Sequence, residues 1–218
     1  MTALDLIYQR TSCHVHEMQS PAPDTATLKR IFQSVMSAPD HGNIKPWHLV
    51  VVDTEHVTNM CELMCRAWLD HAAGIEPARI RRLTSYLKDA PMVVLVSADI
   101  VEPHAVSRRD QVLAAAAACQ NILLAAEHED VAAIWYSTDA AELPQVYELF
   151  GLSSNQEPVA FIMLGTKKES HVKKRSDVDP HCHQWVGNNQ LKPFFDASAS
   201  EKSTVVKENK QKELNHAI

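Results

Sequence analysis

The sequence is poor in glycine: five stand among 218 residues, and Gly42, Gly74, Gly151, Gly165 and Gly187 are too far apart for GxGxxG or a phosphate-binding P-loop. The usual glycine-rich ways of bringing backbone amides to phosphate are therefore excluded, and a bound nucleotide must be held mainly by side chains. GxSxG, HExxH and DxDxDG are absent too, which removes common hydrolase, zinc and calcium readings. Cysteine is scarce and odd in number, Cys13, Cys61, Cys65, Cys119 and Cys182, with no CxxC pair. That usage, with no N-terminal apolar signal segment, predicts reduced thiols and a cytoplasmic location. No apolar run exceeds stretches such as VLAAAAAC and MVVLVSA, well short of the ~20 residues that cross a bilayer, so no membrane partner is expected. Positive charge is also in deficit: 21 Lys and Arg against 27 Asp and Glu give a net charge of −6 and argue against nucleic acid. KKESHVKKR, residues 167–175, is the basic patch and reads by itself as a solvated loop.

What remains is ordinary globular composition, 45% hydrophobic and 22% charged, with no linker dividing it. We expect one domain over residues 1–197 and a polar, mobile tail over 198–218, which has little apolar surface to offset chain entropy. ALDLIYQR predicts a short amphipathic helix ending near Arg10, and Asp24 caps a second helix with Leu28, Ile31, Phe32, Val35 and Met36 at helical spacing. HLVVVD and MVVLVSA are apolar runs without polar alternation, predicting strands buried on both faces. Between them lie helices around 57–71 and 77–87. From about 105 to 127 runs the longest helical signal, with Val112, Leu113, Ala116, Cys119, Gln120, Leu123 and Leu124 marking an inward surface. VAAIWYS, a helix in DAAELPQVYELF stopped by Gly151, and PVAFIMLG complete an α+β or α/β layered protein whose strands are too separated for hairpins. Trp185, Phe194 and Phe195 stand on a polar segment and need something to bury against, for which a neighbouring subunit is a candidate.

Three partial metal-ligand sets occur, His14/His16, Cys61/Cys65 and His181-Cys182-His183, none with a partner cluster, so no metal site is predicted. Twelve histidines leave many Ser–His or Cys–His pairs open, and the sequence does not choose among them.

SAPDHGNIKPWHLVVVD, with Ala38, Pro39, Asn43, Pro46 and Trp47, resembles the A-P-x-x-x-N-x-x-P-W loop of the FMN-dependent nitroreductase family, and Ala38 to His41 is similar to its branch of small bacterial NAD(P)H nitroreductases. Three more blocks follow the family's order: Gln9-Arg10-Thr11-Ser12; Asp110 with Ala118 to Ala126 and then Ile134-Trp135; and Phe161 to Thr166. The resemblance implies an α+β fold around a mostly antiparallel sheet flanked by helices. It implies a homodimer with exchanged C-terminal arms and FMN at the interface, and hydride transfer from NADH or NADPH through the flavin to a small-molecule acceptor, a nitroaromatic, quinone or related electrophile. No protein nucleophile is required.

Carried over by position, Arg10, Thr11 and Ser12 would meet the FMN phosphate, Ser37, His41 and Asn43 the ribityl chain or ring, and Trp135, Tyr136 and Ser137 would line the flavin. Lys45, where the family has glutamine, would offer charge to the ring and raise its potential. Thr11 stands in place of an arginine, which Lys173, Lys174 or Arg175 can compensate. His14 and His16 replace R-x-F, and Asp130 and Ala132 replace glycines after the long helix. These departures define an alternative: a dimer that binds flavin or another small ligand without NAD(P)H turnover.

Overall fold

A computed structural model of the chain describes residues 2–71, 76–137, 144–169 and 173–195. The chain divides into two compact units, Met1–Lys173 and Lys174–Ile218. The expected tail, 198–218, and the first part of the DAAELPQ helix lie outside the described residues.

The first unit opens with α1 (Ala3–Gln9), where Thr2 accepts the Asp5 amide and Asp5 accepts the Thr2 amide in a capping box. A short β1 (Met18–Gln19) and α2 (Thr25–Gln33) follow, and Asp24 caps α2 by accepting the Thr27 amide at 2.7 Å. The α-helix stops three residues earlier than the hydrophobic spacing suggests, tightening into a 3-10 turn at Ser34–Ser37 that leaves Met36 exposed. Then come β2 (Trp47–Val52), α3 (Thr54–His71), α4 (Pro77–Lys88), β3 (Met92–Asp99), α5 (Arg108–His128), β4 (Val131–Tyr136), α6 (Pro144–Phe150) and β5 (Gln156–Lys167). Gly151, at φ 64°, follows α6 in the left-handed conformation that a helix stop needs.

The strands form one antiparallel sheet in the order β2-β3-β5-β4. Thr166 pairs with Val131 of β4 on one edge of β5, so β1, which also pairs with Thr166, lies on the opposite edge beyond the end of β3. Alternation across the strands separates two cores. Val93 and Leu95 of β3, Ala132 and Ile134 of β4 and Phe161 and Met163 of β5 pack with Met60, Cys61, Met64 and Trp68 of α3, Ile80 and Leu87 of α4 and Val146 of α6. Val94, Val96, Val131, Ala133, Ile162 and Leu164 face α2 and α5 instead, through Ile31, Cys119, Ile122 and Leu123. The result is an α/sheet/α stack, α+β in class, as expected.

β3 is buried on both faces, and each such Val or Leu contributes about 1.5–3 kcal/mol of burial. β2 is not: it is an edge strand, and His48 and Val51 are exposed. A β-branched run carries no mark of how many neighbours its strand will have, so the two-faced burial read for HLVVVD fails. On α5, Leu113 (54% exposed) and Gln120 point outward, while Gln111 is 1% exposed. The alanine-rich stretch supplies too little contrast for the inward face to be read from its larger residues. Gly165 is required by contact, since a Cβ there would sit 2.7 Å from Pro91 Cγ and 3.3 Å from the Gln19 carbonyl.

The second unit holds a 3-10 turn, Asp179–His181, and a hairpin of β6 (His183–Trp185) and β7 (Leu191–Pro193), two strands that the sequence pattern does not announce; the four apolar strands of the first unit are joined through helices, as their separation implies. Gly187, Asn188 and Asn189, all at positive φ, turn the chain between the strands. Trp185, Leu191, Phe194 and Phe195 are exposed, with the Phe194 and Phe195 rings edge to face at 4.9 Å.

Candidate functional site

The predicted residues of the first unit fall into two groups at opposite edges of the sheet. One gathers on β4. α1 ends at Arg10, whose amide donates to the Leu6 carbonyl, and the Arg10 Nη1 reaches Ser12 Oγ at 3.5 Å. Three residues on, the Cys13 amide donates to the Ala133 carbonyl at 3.0 Å, pinning the Arg10-Thr11-Ser12 segment to β4. Burial in that anchor pushes the Cys13 thiol pKa up.

Trp135 and Tyr136 close the same strand on opposite faces. Trp135 packs toward α5 and its Nε1 donates to Ser137 Oγ at 2.7 Å. Tyr136 turns toward α4, where its ring lies 5.4 Å from that of Tyr86. The Tyr86 hydroxyl in turn meets His14 Nδ1 at 3.1 Å, and His14 stacks on His16 at 5.6 Å. The two histidines that depart from the family pattern are thus tied to the β4 group through an aromatic pair.

The second group lies in the loop that enters β2. Ser37 is exposed at the end of its 3-10 turn, and Asn121 of α5 holds that turn by donating from Nδ2 to the Ser34 carbonyl at 3.0 Å. His41 and Asn43 are exposed on the next short 3-10 turn, His41–Asn43. Gly42, Asn43 and Lys45 have φ of 82°, 55° and 56°. The Asp40 carboxylate accepts the Lys45 amide at 2.6 Å, closing the loop, and exposed Lys45 stands beside buried Pro46. Gly42 is needed for its φ and for space, because a Cβ would lie 3.0 Å from Val106 Cγ2.

With β5 and β3 between β4 and β2, three strand spacings separate the groups, about 14 Å across the sheet. Arg175 stands in the second unit. Sequence reading gave no role to Asn121 or Gln111, although Gln111 falls on the inward helical stripe shared with Ala114, Ala115, Ala118 and Ile122, where a polar residue is itself a signal.

Asp130 answers one question the sequence raised. It takes φ 55° where a glycine would be expected, and its carboxylate meets Lys167 Nζ at 3.1 Å, with Glu127 at 3.3 Å from the same ammonium. Aspartate tolerates the left-handed region, so the turn from α5 into β4 is made without glycine.

These elements lie in the order and positions of a known architecture, and the model of the Nitroreductase family matches residues 7–166. The chain belongs to the nitroreductase family. "Putative NAD(P)H nitroreductase YdjA" of Escherichia coli (strain K12) is 31% identical over 166 residues, 76% of this chain and 88% of that protein. A Haemophilus influenzae protein named "Putative NAD(P)H nitroreductase" is 30% identical over 180 residues, 82% and 96% of the two chains. Among solved structures, a nitroreductase-like family protein from Bacillus cereus shares the fold with a TM-score of 0.72 at 19% identity, covering 86% of this chain and 97% of that one. A second, described as "a putative nitroreductase in complex with fmn" from Desulfovibrio desulfuricans, gives 0.62 at 20% identity over 82% and 94%. Every predicted site residue of this chain except Arg175 falls inside the family match.

Proposed function

We propose that the protein is an FMN-dependent oxidoreductase that takes hydride from NADH or NADPH and delivers it to a nitroaromatic, quinone or related electrophile. The family match over residues 7–166 carries this reading, and the FMN bound in the Desulfovibrio protein and the names of the curated relatives support it. When bound, FMN supplies the hydride chemistry, and the chain supplies binding, orientation and charge. The donors present fit that group. Arg10 and Ser12 offer a guanidinium fork and a hydroxyl to a phosphate, with Thr11 between them. Ser37, His41 and Asn43 offer donors and acceptors to the ribityl chain and ring, Lys45 a positive charge, and Trp135 with its hydrogen-bonded Ser137 a wall on one face of β4, while Tyr136, whose ring turns to the other face, offers only its backbone. For the cation missing at Thr11, Lys173, Lys174 or Arg175 is the candidate substitute.

Two groups about 14 Å apart across one sheet are a reason to place the complete site between two copies. α1 buries none of its residues and exposes Leu4, Ile7 and Tyr8, an apolar face suited to a homodimer. In the same reading the domain runs over 1–197, its C-terminal arm crosses to the partner subunit, which covers the arm's Trp185, Phe194 and Phe195, residues 198–218 form a polar tail, and the enzyme is cytoplasmic.

Thr11 favours a second reading, a flavin-binding dimer without turnover. Purified protein decides between them. The enzyme is yellow, sediments as a dimer and bleaches under anaerobic NADH or NADPH; a yellow protein that both donors leave oxidised selects the second reading, and a colourless one that refuses FMN refutes both.

A further inference from the structure

Between the end of α1 and the 3-10 turn Val15–Glu17, residues 10–14 belong to neither helix nor strand, so the Arg10-Thr11-Ser12 segment takes its shape from ties to its surroundings. Burial alternates along the chain that follows it. Cys13 and Val15 are 6% and 2% exposed and pack into the core, whereas Ser12, His14 and His16 are exposed. Ser12 and His14 therefore stand on the same side of the chain, about 6–7 Å apart for a two-residue repeat of extended backbone. What holds His14 and Val15 in place also holds the residues that would meet a phosphate.

The sheet supplies several of these ties. The Cys13 amide donates to the Ala133 carbonyl of β4 at 3.0 Å, the Lys168 amide donates to the Glu17 carbonyl at 2.9 Å, and Lys168 Nζ donates to the His16 carbonyl at 2.8 Å. The helical layer adds one through a hydroxyl. Tyr86, half-buried near the end of α4, places its oxygen 3.4 Å from the Val15 amide and 3.1 Å from His14 Nδ1. An amide can only donate, so the Tyr86 oxygen accepts from Val15 and its own proton goes to His14 Nδ1. One hydroxyl thus closes on two successive residues, fixing the backbone at Val15 and the ring at His14, which in turn stacks on His16. The Tyr86 ring lies 5.4 Å from that of Tyr136, so the hydroxyl is aimed by packing against β4, the strand that also receives Cys13.

We propose that Tyr86 is a positioning residue for the cofactor phosphate: by tying His14 and Val15 to α4, its hydroxyl holds Arg10 and Ser12 in the arrangement that receives the phosphate. The inference rests on the FMN reading above and adds to it a residue of the β2–β3 excursion that acts through the 10–15 segment. Thr11 sharpens the need for it. With a hydroxyl where a second cation would add attraction, affinity depends more on donors that are already in place before the phosphate arrives.

The test is Tyr86→Phe, which keeps the ring against Tyr136 and removes only the hydroxyl. In flavin titrations of cofactor-stripped protein, the Kd for FMN should rise about 3- to 10-fold, the equivalent of about one hydrogen bond, while the Kd for riboflavin, which lacks the phosphate, stays at the wild-type value. An equal rise for both flavins, the mark of a merely structural role, overturns the assignment, and so does an unchanged Kd for FMN. A readout without flavin separates this from failure of the FMN reading. In the stripped protein, amide hydrogen exchange over residues 12–15 should accelerate in Tyr86→Phe by a larger factor than exchange in β3; a factor no larger than that of β3 refutes the clamp. A wild-type protein that refuses both flavins overturns the phosphate role together with the FMN reading, whatever the exchange shows.

Discussion

Replacing Gln111 with leucine should destabilise the protein by about 2–4 kcal/mol. The side chain is 1% exposed and makes three hydrogen bonds, one accepted and two donated. Each is worth about 1 kcal/mol net, and a buried group left without a partner costs about 1–3 kcal/mol. The three groups released are not equivalent. Val101 is 45% exposed, so its amide and carbonyl can recover water, whereas Val106 is 5% exposed and its carbonyl stays dry. Leucine returns about 1 kcal/mol through its own burial, which keeps the sum below the simple total. For a chain of this length the loss corresponds to a fall of about 5–15 °C in Tm. Thermal and urea melts, with no added ligand, measure it against Leu113→Gln. That control sits on the same helix at an exposed site, where changes stay within about 0.5 kcal/mol. A loss below about 1 kcal/mol, or one no larger than the control's, would refute the claim that this amide fixes the 101–107 connection.

Gln111→Glu makes the same argument with a sign. The carboxylate keeps an acceptor for the Val101 amide but faces two carbonyls where Nε2 donated. Burial and those carbonyls raise the folded pKa of the introduced glutamate above its unfolded value. A raised pKa contributes stability below the unfolded value and loses it as pH climbs through the folded one. The variant should therefore be closest to wild type in mild acid and fall behind it toward neutrality; a constant gap would contradict the geometry.

Lys45→Gln should lower the flavin midpoint potential, by about 30 mV for every 1.4 kcal/mol of interaction in a two-electron couple, and a spectroelectrochemical titration that gives the wild-type value would rule the charge out. Native iodoacetamide labelling followed by mass spectrometry should modify half-buried Cys65 and Cys182 and spare Cys13, Cys61 and Cys119. Burial raises the thiol pKa in all three of the spared residues, to about 12 in Cys61 and Cys119. Hydrogen bonding to Asp53 lifts His56 above its ordinary 6.5, so the pair stabilises the fold below that pH and loses its effect as pH rises through the folded value. The Tm difference between wild type and His56→Gln should close in the same window, and a difference independent of pH would refute it.

The parts of the fold legible in the sequence are those whose signal is local. MVVLVSA is a strand buried on both faces because its pattern says so, and Asp24 and Gly151 mark helix ends by chemistry that acts within a few residues. The edge position of β2 was not legible, since strand order is decided by pairings distant in sequence. The β6–β7 hairpin was hidden by a five-residue connection and by strands of only three residues. For the candidate site, the Arg10-Thr11-Ser12 and Trp135-Tyr136-Ser137 blocks, far apart in sequence, do come to one strand. That Trp135 and Tyr136 face different cores follows from strand alternation alone and could have been read. The role of Asn121 could not, because it acts on a carbonyl 87 positions away.

The loop from Ser37 to Pro46 shows how the fold can hold such a site still without burying it. Non-glycine residues in the left-handed region cost about 1–3 kcal/mol each, and Asn43 and Lys45 both adopt it beside Gly42. Strain of that size would unwind a free loop, so the surroundings must determine it. At the start, the Ala38 amide closes on the Val35 carbonyl and Asn121 clamps Ser34 to α5; at the end, the Asp99 amide of β3 donates to the Pro46 carbonyl at 2.8 Å. Between them Asp40 fixes Lys45, and Val106, itself held by Gln111, fills the space under Gly42. The three clamps from outside the loop come from different elements, Asn121 on α5, Asp99 on β3 and Val106 on the connection joining them. Loosening Gln111 should therefore reach His41, Asn43 and Lys45, so Gln111→Leu should weaken flavin retention, whereas the exposed control Leu113→Gln on the same helix should leave it at the wild-type value.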